Sequence, residues 1–420
     1  MGGSSTLSLR KEPRADRQVR YLERMRLPVR PAFWMSAAYF AFYAGIACWS
    51  PYIVLYYAAL GFSGLQIGVL NAILPLGMAV FAPLWSSLAD SRSLHRLVLR
   101  IALLATATVG LLLTAQPDFP QVAVLIAVFA LLGTSTAPLL DSYGVTLGAA
   151  PGVSFGRLRV WGSVGYIGVV WLVGAAMRGG VSPLFLFLYA AAQLSASAAT
   201  LGLPARARAH GPDRRRGAAE LWRRSDLRLL LFVTFLIFSS TTPMFTLFGL
   251  YVGALGGTTA LLGAASAVAA LSEIPVFIWG GRLVERFGAR RLYGVALGVY
   301  TLRLVLFTVV PAAPWVLGVQ ALHGLSFGFY LVAAMALLQR RVAPEQLATA
   351  QGLLASAMAC GQIVGALLSG AVYDRFGILT VYGVSAVVMM LALAVFVRGG
   401  RRLGETGVPL RGLEERPGEA

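Results

Sequence analysis

The 420-residue chain is 58% hydrophobic and only 12% charged, about half the charged share of a soluble chain of its size. Its net charge of +18 suits either a nucleic-acid partner or a basic membrane face, and only the placement of the charges separates the two. Three histidines give no zinc spacing, and the one lysine, Lys11, precedes Glu12, so there is no GxxxxGK[ST] phosphate loop and no ATP hydrolysis of that type.

Cys48 and Cys360 lie in apolar runs near opposite ends of the chain and read as buried small hydrophobes without a disulfide framework. Residues 1–31 form a polar, basic tail without the apolar core and cleavage site of a removable signal peptide. A membrane-spanning helix needs about 20 apolar residues. Twelve such runs are predicted: 33–58, 64–87, 97–115, 121–148, 157–177, 183–202, 228–254, 259–281, 291–310, 314–339, 347–372 and 378–397. The predicted class is therefore an all-α integral membrane protein. Its expected parts are a tail (1–31), a six-helix bundle (32–203), a basic linker (204–226), a second six-helix bundle (227–398) and a C-terminal tail (399–420).

The arginines orient this parse. They crowd the N-terminal tail, the loops after the second, eighth and tenth runs, the entry to the fifth, the linker and the C-terminal tail. The opposite face carries only Arg178 and Arg375, and Arg303 lies mid-run. An even number of helices, both termini in the cytoplasm and a basic cytoplasmic face follow together. The charge is an orientation signal, and no nucleic-acid partner is expected.

The two halves echo one another. Asp90, Arg92 and Arg96 follow the second run, and Gly281, Glu285, Arg286, Gly288, Arg290 and Arg291 follow the eighth. The segment Gly281-Arg-Leu-Val-Glu-Arg-Phe-Gly-Ala-Arg-Arg291 resembles the loop motif of the major facilitator superfamily, with Glu285 in the acid slot. The N-terminal copy has Ser86 where the glycine is usual. The resemblance implies two pseudo-symmetric bundles around a central site, with the motif gating the cytoplasmic side. Phe155-Gly-Arg-Leu-Arg-Val-Trp-Gly-Ser-Val-Gly165 resembles the fifth helix of that superfamily's proton-coupled branch, which holds phenylpropionate permeases, nucleoside:proton symporters and lactose permease. There an acid on the fourth helix and this arginine contribute to the substrate site, which points to Asp141 and Arg159. Ala270-Leu-Ser-Glu273-Ile-Pro275, Tyr300-Thr-Leu-Arg303 and Val319-Gln-Ala-Leu-His323-Gly extend the resemblance. Ser326 stands where lactose permease has a proton-carrying glutamate, so that role does not transfer.

The residues say the same without the family. Away from the helix ends, Asp141, Arg159, Glu273, Arg303 and His323 are the ionisable groups inside apolar runs, where charge is costly and kept for function. At about 1.5 Å per residue, Asp141 and Arg159 share one depth, and Glu273 and Arg303 another near mid-membrane. Two balanced acid–arginine pairs with a histidine beside them suggest a polar cavity, and structural ion pairs locking helix hairpins are the bland alternative. Arg157 is expected to snorkel to the headgroups. The breaks at Gly133–Pro138, Ser239–Pro243 and Pro275 are expected to line the cavity. Tyr39 and Tyr43, with the other aromatics of the first run, are expected to pack. Gly324-Leu-Ser-Phe-Gly328 matches GxSxG but has no preceding strand, so it is set aside.

The expected function is secondary active transport, without enzymatic activity or bound cofactor. A proton gradient would drive import of a small organic solute: an aromatic or aliphatic carboxylate first, a nucleoside or sugar next. Substrate binding is assigned to Asp141, Arg159 and Arg303, and proton coupling to Glu273 and His323. The expected partners are the lipid bilayer, the solute and protons. The expected setting is a bacterial inner membrane, with the chain acting as a monomer. A drug:proton antiporter is the nearest rival, weakened because the fifth helix has no Gly-Pro pair. A membrane sensor lacks an output module.

Overall fold

The computed structural model describes residues 30–92, 94–149, 153–177, 180–204 and 218–400. The terminal tails and most of the expected linker lie outside them. All elements among the described residues are helical.

The first run is two helices, α1 (Arg30–Trp49) and α2 (Ile53–Ala59), parted at Pro51. Next come α3 (Gly64–Arg92) and α4 (His95–Leu113). The fourth run divides at Thr134 and Ser135 into α5 (Phe119–Gly133) and α6 (Thr136–Gly148). Then follow α7 (Phe155–Ala176), opened by a Ser154 cap, and α8 (Leu184–Ala199). A short α9 (Ala218–Arg223) leads into α10 (Ser225–Thr246), whose Pro243 precedes a break before α11 (Phe248–Ala254). The chain continues through α12 (Thr259–Phe287) and α13 (Ala289–Val309). The tenth run is α14 (Val316–Ala321), a π-helical turn (Gly324–Gly328) and α15 (Phe329–Gln339). The last is α16 (Leu347–Gly399).

Among the described residues, eleven helical segments are long and apolar enough to cross a membrane, against the twelve predicted. The difference lies in α16, whose 53 residues span both of the last predicted runs. As one straight rod it would measure about 80 Å against a hydrocarbon core of about 30 Å. It does not stay straight: Gly377 has φ 76 and ψ 175, a conformation closed to residues with a Cβ. The neighbours show the reversal. Before Gly377 the chain climbs α10, with Gly361 against Phe235 and Gly365 against Ser239. Beyond it the chain descends, with Tyr382 at Pro243 and Gly399 against Leu229.

Large apolar side chains such as Ile278 (67% exposed) and Trp315 (66%) cover the outer surface. In water such a surface would drive aggregation, and in lipid it is solvated. α1 packs on α7 and α8, while α10, α13 and α16 pack together. The N- and C-terminal helices meet along α3 with α16 and α7 with α12. One end of these seams is tied by hydrogen bonds. The Asp374 carboxylate accepts from the Gly64 and Leu65 N–H groups at the start of α3, at 2.5 and 2.8 Å. Thr259 Oγ1 lies 2.9 Å from the Gly174 carbonyl and 2.8 Å from that of Met177. At the opposite end Arg92, Glu285, Arg286 and Arg291 are exposed.

Candidate functional site

Between the N- and C-terminal helices lies a cavity of about 360 Å³. Tyr43, Arg159, Ser163 and Tyr166 form one wall, and Glu273, Arg303, Gln320 and His323 form the other. Apolar side chains, among them Ile46, Phe245, Phe248, Ile274 and Phe277, separate the two polar walls.

On the first wall, Arg159 and Asp141 form an ion pair with Nε–Oδ1 at 3.6 Å. That distance is too long for a good hydrogen bond. Asp141 instead accepts from the buried Tyr39 hydroxyl at 2.9 Å. Arg159 Nη2 donates to the Tyr43 hydroxyl at 2.6 Å, and its Cζ stands 4.0 Å from the centre of the Tyr43 ring, a cation–π contact. Tyr39 and Tyr43 are therefore ligands of the charge pair as well as packing residues. Their spacing is the signal that could have shown this, since residues four apart share one helix face. Asp141, predicted to bind substrate, pairs with Arg159 but is not among the residues that line the cavity.

The second wall corrects the pairing expected from depth. Glu273 and Arg303 do not meet, because His323 stands between them. Its Nε2 lies 2.9 Å from Glu273 Oε1, and its Nδ1 lies 3.0 Å from Arg303 Nη1. A guanidinium can only donate, so Nδ1 accepts and Nε2–H donates to Glu273. The imidazole is thereby a neutral bridge with its tautomer set by Arg303. Phe327 stacks on the ring and Phe245 meets it edge-on.

Arg303 is 1% exposed and nearly saturated. Besides His323 it donates to Ser326 Oγ at 2.8 Å, Gln320 Oε1 at 2.6 Å and the Val319 carbonyl at 3.2 Å. Four of its five N–H groups are taken, which leaves no fork for a solute carboxylate. Arg303, predicted to bind substrate, is instead held by the residues of this wall. Ser326, at the place of the missing glutamate, is one of its ligands.

Gly324 brings this wall together. A Cβ there would collide with the Ser272 carbonyl, and the Gly324 N–H donates to Ser272 Oγ at 2.8 Å. The close approach sets His323 beside Glu273, the residue after Ser272. The GxSxG resemblance is this π-helical turn, a geometry frequent at functional sites.

The polar breaks do less than expected. Ser239, Thr241 and Thr242 return their hydroxyls to the carbonyls of Phe235, Ile237 and Phe238 on their own helix. Thr134 and Ser135 likewise bond to Ala130 and Leu132. A hydroxyl in an apolar helix finds its nearest acceptor one turn back, so these segments bend the helices without lining the cavity. Pro275 does not line it either, unlike its neighbours Glu273, Ile274 and Phe277. Cys48 is buried as expected, but Cys360 is exposed; both are free.

Of the predicted gating residues, Arg96 donates to the Leu203 carbonyl at 3.1 Å. Arg286 stands over the Phe287 ring, and Gly288, at φ 80, makes the turn from α12 into α13. Arg290 reaches toward Gly400. Among the described residues Glu285 is exposed and makes no ion pair. The side chain of Asp90 lies outside the description.

Comparison with known proteins decides the family. The family model described as MFS_1 like family matches residues 32–384. The chain belongs to this family. It is 29% identical over 340 residues to the maltose permease of Geobacillus stearothermophilus, covering 78% of this chain and 86% of that one. It is 23% identical to a probable 3-phenylpropionic acid transporter of Escherichia coli, covering 87% and 96%. The crystal structure of the nucleoside transporter NupG has the same fold, with TM-score 0.75, 19% identity and 87% and 98% of the two chains covered. The chain is thus a multi-pass MFS transporter of small solutes and not an enzyme.

Proposed function

We propose that this transporter is a proton-driven symporter importing a small organic carboxylate. The observation that carries the reading is one cavity with an arginine holding spare donors on one wall and a histidine-bridged glutamate on the other. Arg159 gives one N–H to Tyr43, and its Nη1 has no acceptor among the described residues. Bidentate carboxylate binding suits such a guanidinium. A carboxylate seated there adds negative charge beside Glu273 and draws Arg159 from Asp141. In low dielectric that charge is offset by proton uptake, and Glu273 is the carrier. His323 relays the state of Glu273 to Arg303 while the two bundles rock about the site.

In this reading α16 makes two crossings, for twelve in all arranged six and six about the linker. Both termini lie in the cytoplasm of a bacterial inner membrane, and the chain acts as a monomer. The Asp374 end then faces outward and is closed, so the transporter is inward-facing. The driving force is the proton gradient, with no bound cofactor.

Uptake into proteoliposomes with and without an inward proton gradient tests the assignment. Gradient-dependent accumulation is expected, with Glu273→Gln retaining binding but losing accumulation. Uptake that ignores the gradient, or an unaffected Glu273→Gln, rejects it. Extrusion driven by the gradient would instead indicate an efflux antiporter. A disaccharide is the second reading of the solute, favoured by the likeness to a maltose permease, and a panel of carboxylates, nucleosides and sugars separates them.

A further inference from the structure

We propose that Gln320 is a specificity residue of the transport site, presenting its amide N–H groups to an oxygen acceptor at the end of the solute remote from the carboxylate. The inference rests on the reading of Arg159 as the carboxylate's partner and extends it to the opposite wall. Gln320 is 6% exposed, and its orientation is set by Arg303. Arg303 donates through Nη2 to Gln320 Oε1 at 2.6 Å and through Nε to the neighbouring Val319 carbonyl at 3.2 Å. A guanidinium cannot accept, so the amide oxygen faces Arg303 and the amide nitrogen is turned away from it. That nitrogen has no acceptor among the described residues and is not fully enclosed, and Gln320 lines the cavity. Gln193, the other buried glutamine among the described residues, uses the same group inside the protein, donating from Nε2 to the Tyr189 hydroxyl at 2.9 Å.

The other polar groups of this wall do not supply such a donor. Arg303 is nearly saturated, and both ring nitrogens of His323 are engaged. Glu273, while ionised, can only accept. A cavity of about 360 Å³ is small for a ligand site, so a solute that fills it meets both walls. An oxygen at the far end of the solute gains a hydrogen bond from Gln320. A hydrocarbon end there leaves the amide N–H groups unpaired against apolar surface, which costs free energy. The solute class is therefore a carboxylate with an apolar body and a carbonyl or hydroxyl oxygen at its far end.

Calorimetry in nanodiscs compares 3-(4-acetylphenyl)propionate with 3-(4-isopropylphenyl)propionate, acids of equal size that end in a carbonyl oxygen or a methyl group. Unsubstituted 3-phenylpropionate reports the carboxylate contact alone. Gln320→Glu keeps an oxygen for Arg303 and turns the cavity-facing donor into an acceptor, while Gln320→Met removes both. The affinity ratio of the acetyl to the isopropyl acid is expected to fall about three- to tenfold in Gln320→Met and further in Gln320→Glu. Arg159→Gln is expected to weaken all three acids and leave the ratio unchanged. A ratio that the folded Gln320 variants leave at the wild-type value overturns the role of Gln320 alone, as does a wild type that binds 3-phenylpropionate but neither substituted acid. A wild type that binds none of the acids, or an Arg159→Gln that binds them equally well, overturns the carboxylate reading and this proposal together.

Discussion

Each half of the molecule sets an acid and an arginine at the cavity, Asp141 beside the wall and the other three on it, yet the two pairs are built in opposite ways. On the N-terminal wall the Arg159 and Asp141 side chains are 32% and 44% exposed, and they meet at 3.6 Å without a close hydrogen bond. On the C-terminal wall Arg303 is 1% exposed and surrounded by acceptors, with His323 bridging it to Glu273. A charge that must exchange partners during a cycle has to retain unsatisfied capacity, whereas a buried one must be fully satisfied to exist there at all. Like residue types therefore stand in unlike surroundings: Arg159 keeps free donors, and Arg303 is nearly saturated.

Exchanging the charge on each wall should break that contrast if it is wrong. The largest effect is expected from Arg303→Gln, which strands His323, Gln320 and Ser326 without their donor. Unfolding in detergent should show a loss of about 3–5 kcal/mol, the range for breaking a buried charge network. Arg159→Gln should cost less than about 1 kcal/mol on the same measure, because the pair is partly solvated. Its carboxylate affinity should nevertheless fall tenfold or more, since a charge-assisted bond is worth about 1.5–3 kcal/mol. Equal destabilisation by the two variants would remove the distinction between the walls.

The smallest effect belongs to the ends of the molecule. Asp374 caps the first turn of α3 across the seam, while Glu285 at the far end is unpaired among the described residues. Asp374→Asn should weaken the closed end by about 1 kcal/mol, roughly fivefold in population. The readout is maleimide labelling from outside of Ala366→Cys, buried beside α3, with Cys48 and Cys360 replaced. An unchanged labelling rate would show that Asp374 does not hold this end.

Much of the architecture was legible in the chain because hydrophobic runs of bilayer length have few other uses. The parse even separated the two arms of α16 at the place where Gly377 turns the backbone. The ionisable residues were legible for the same reason: charge inside an apolar run stands out. Arg159, Glu273, Arg303 and His323 do line one cavity. Their pairing was not legible. Equal depth placed Glu273 opposite Arg303, but depth has no angular coordinate, and the contact of Gly324 with Ser272 puts His323 between them. Tyr39 and Tyr43 were hidden among many aromatics of the first run, where only their four-residue spacing set them apart.

Composition and periodicity by themselves determined that the chain is a helical membrane protein and which residues carry charge into it, and the loop and fifth-helix motifs carried its resemblance to a superfamily. These are properties of single segments, decided by the cost of placing each residue in lipid. Tertiary structure alone decided who touches whom: that Arg303 is nearly saturated and Arg159 is not, that Asp141 stays out of the cavity lining, and that Asp374 ties one end of the seam. Those outcomes turn on helix rotation and on close backbone contacts, which fix ångström-scale geometry that no single segment encodes.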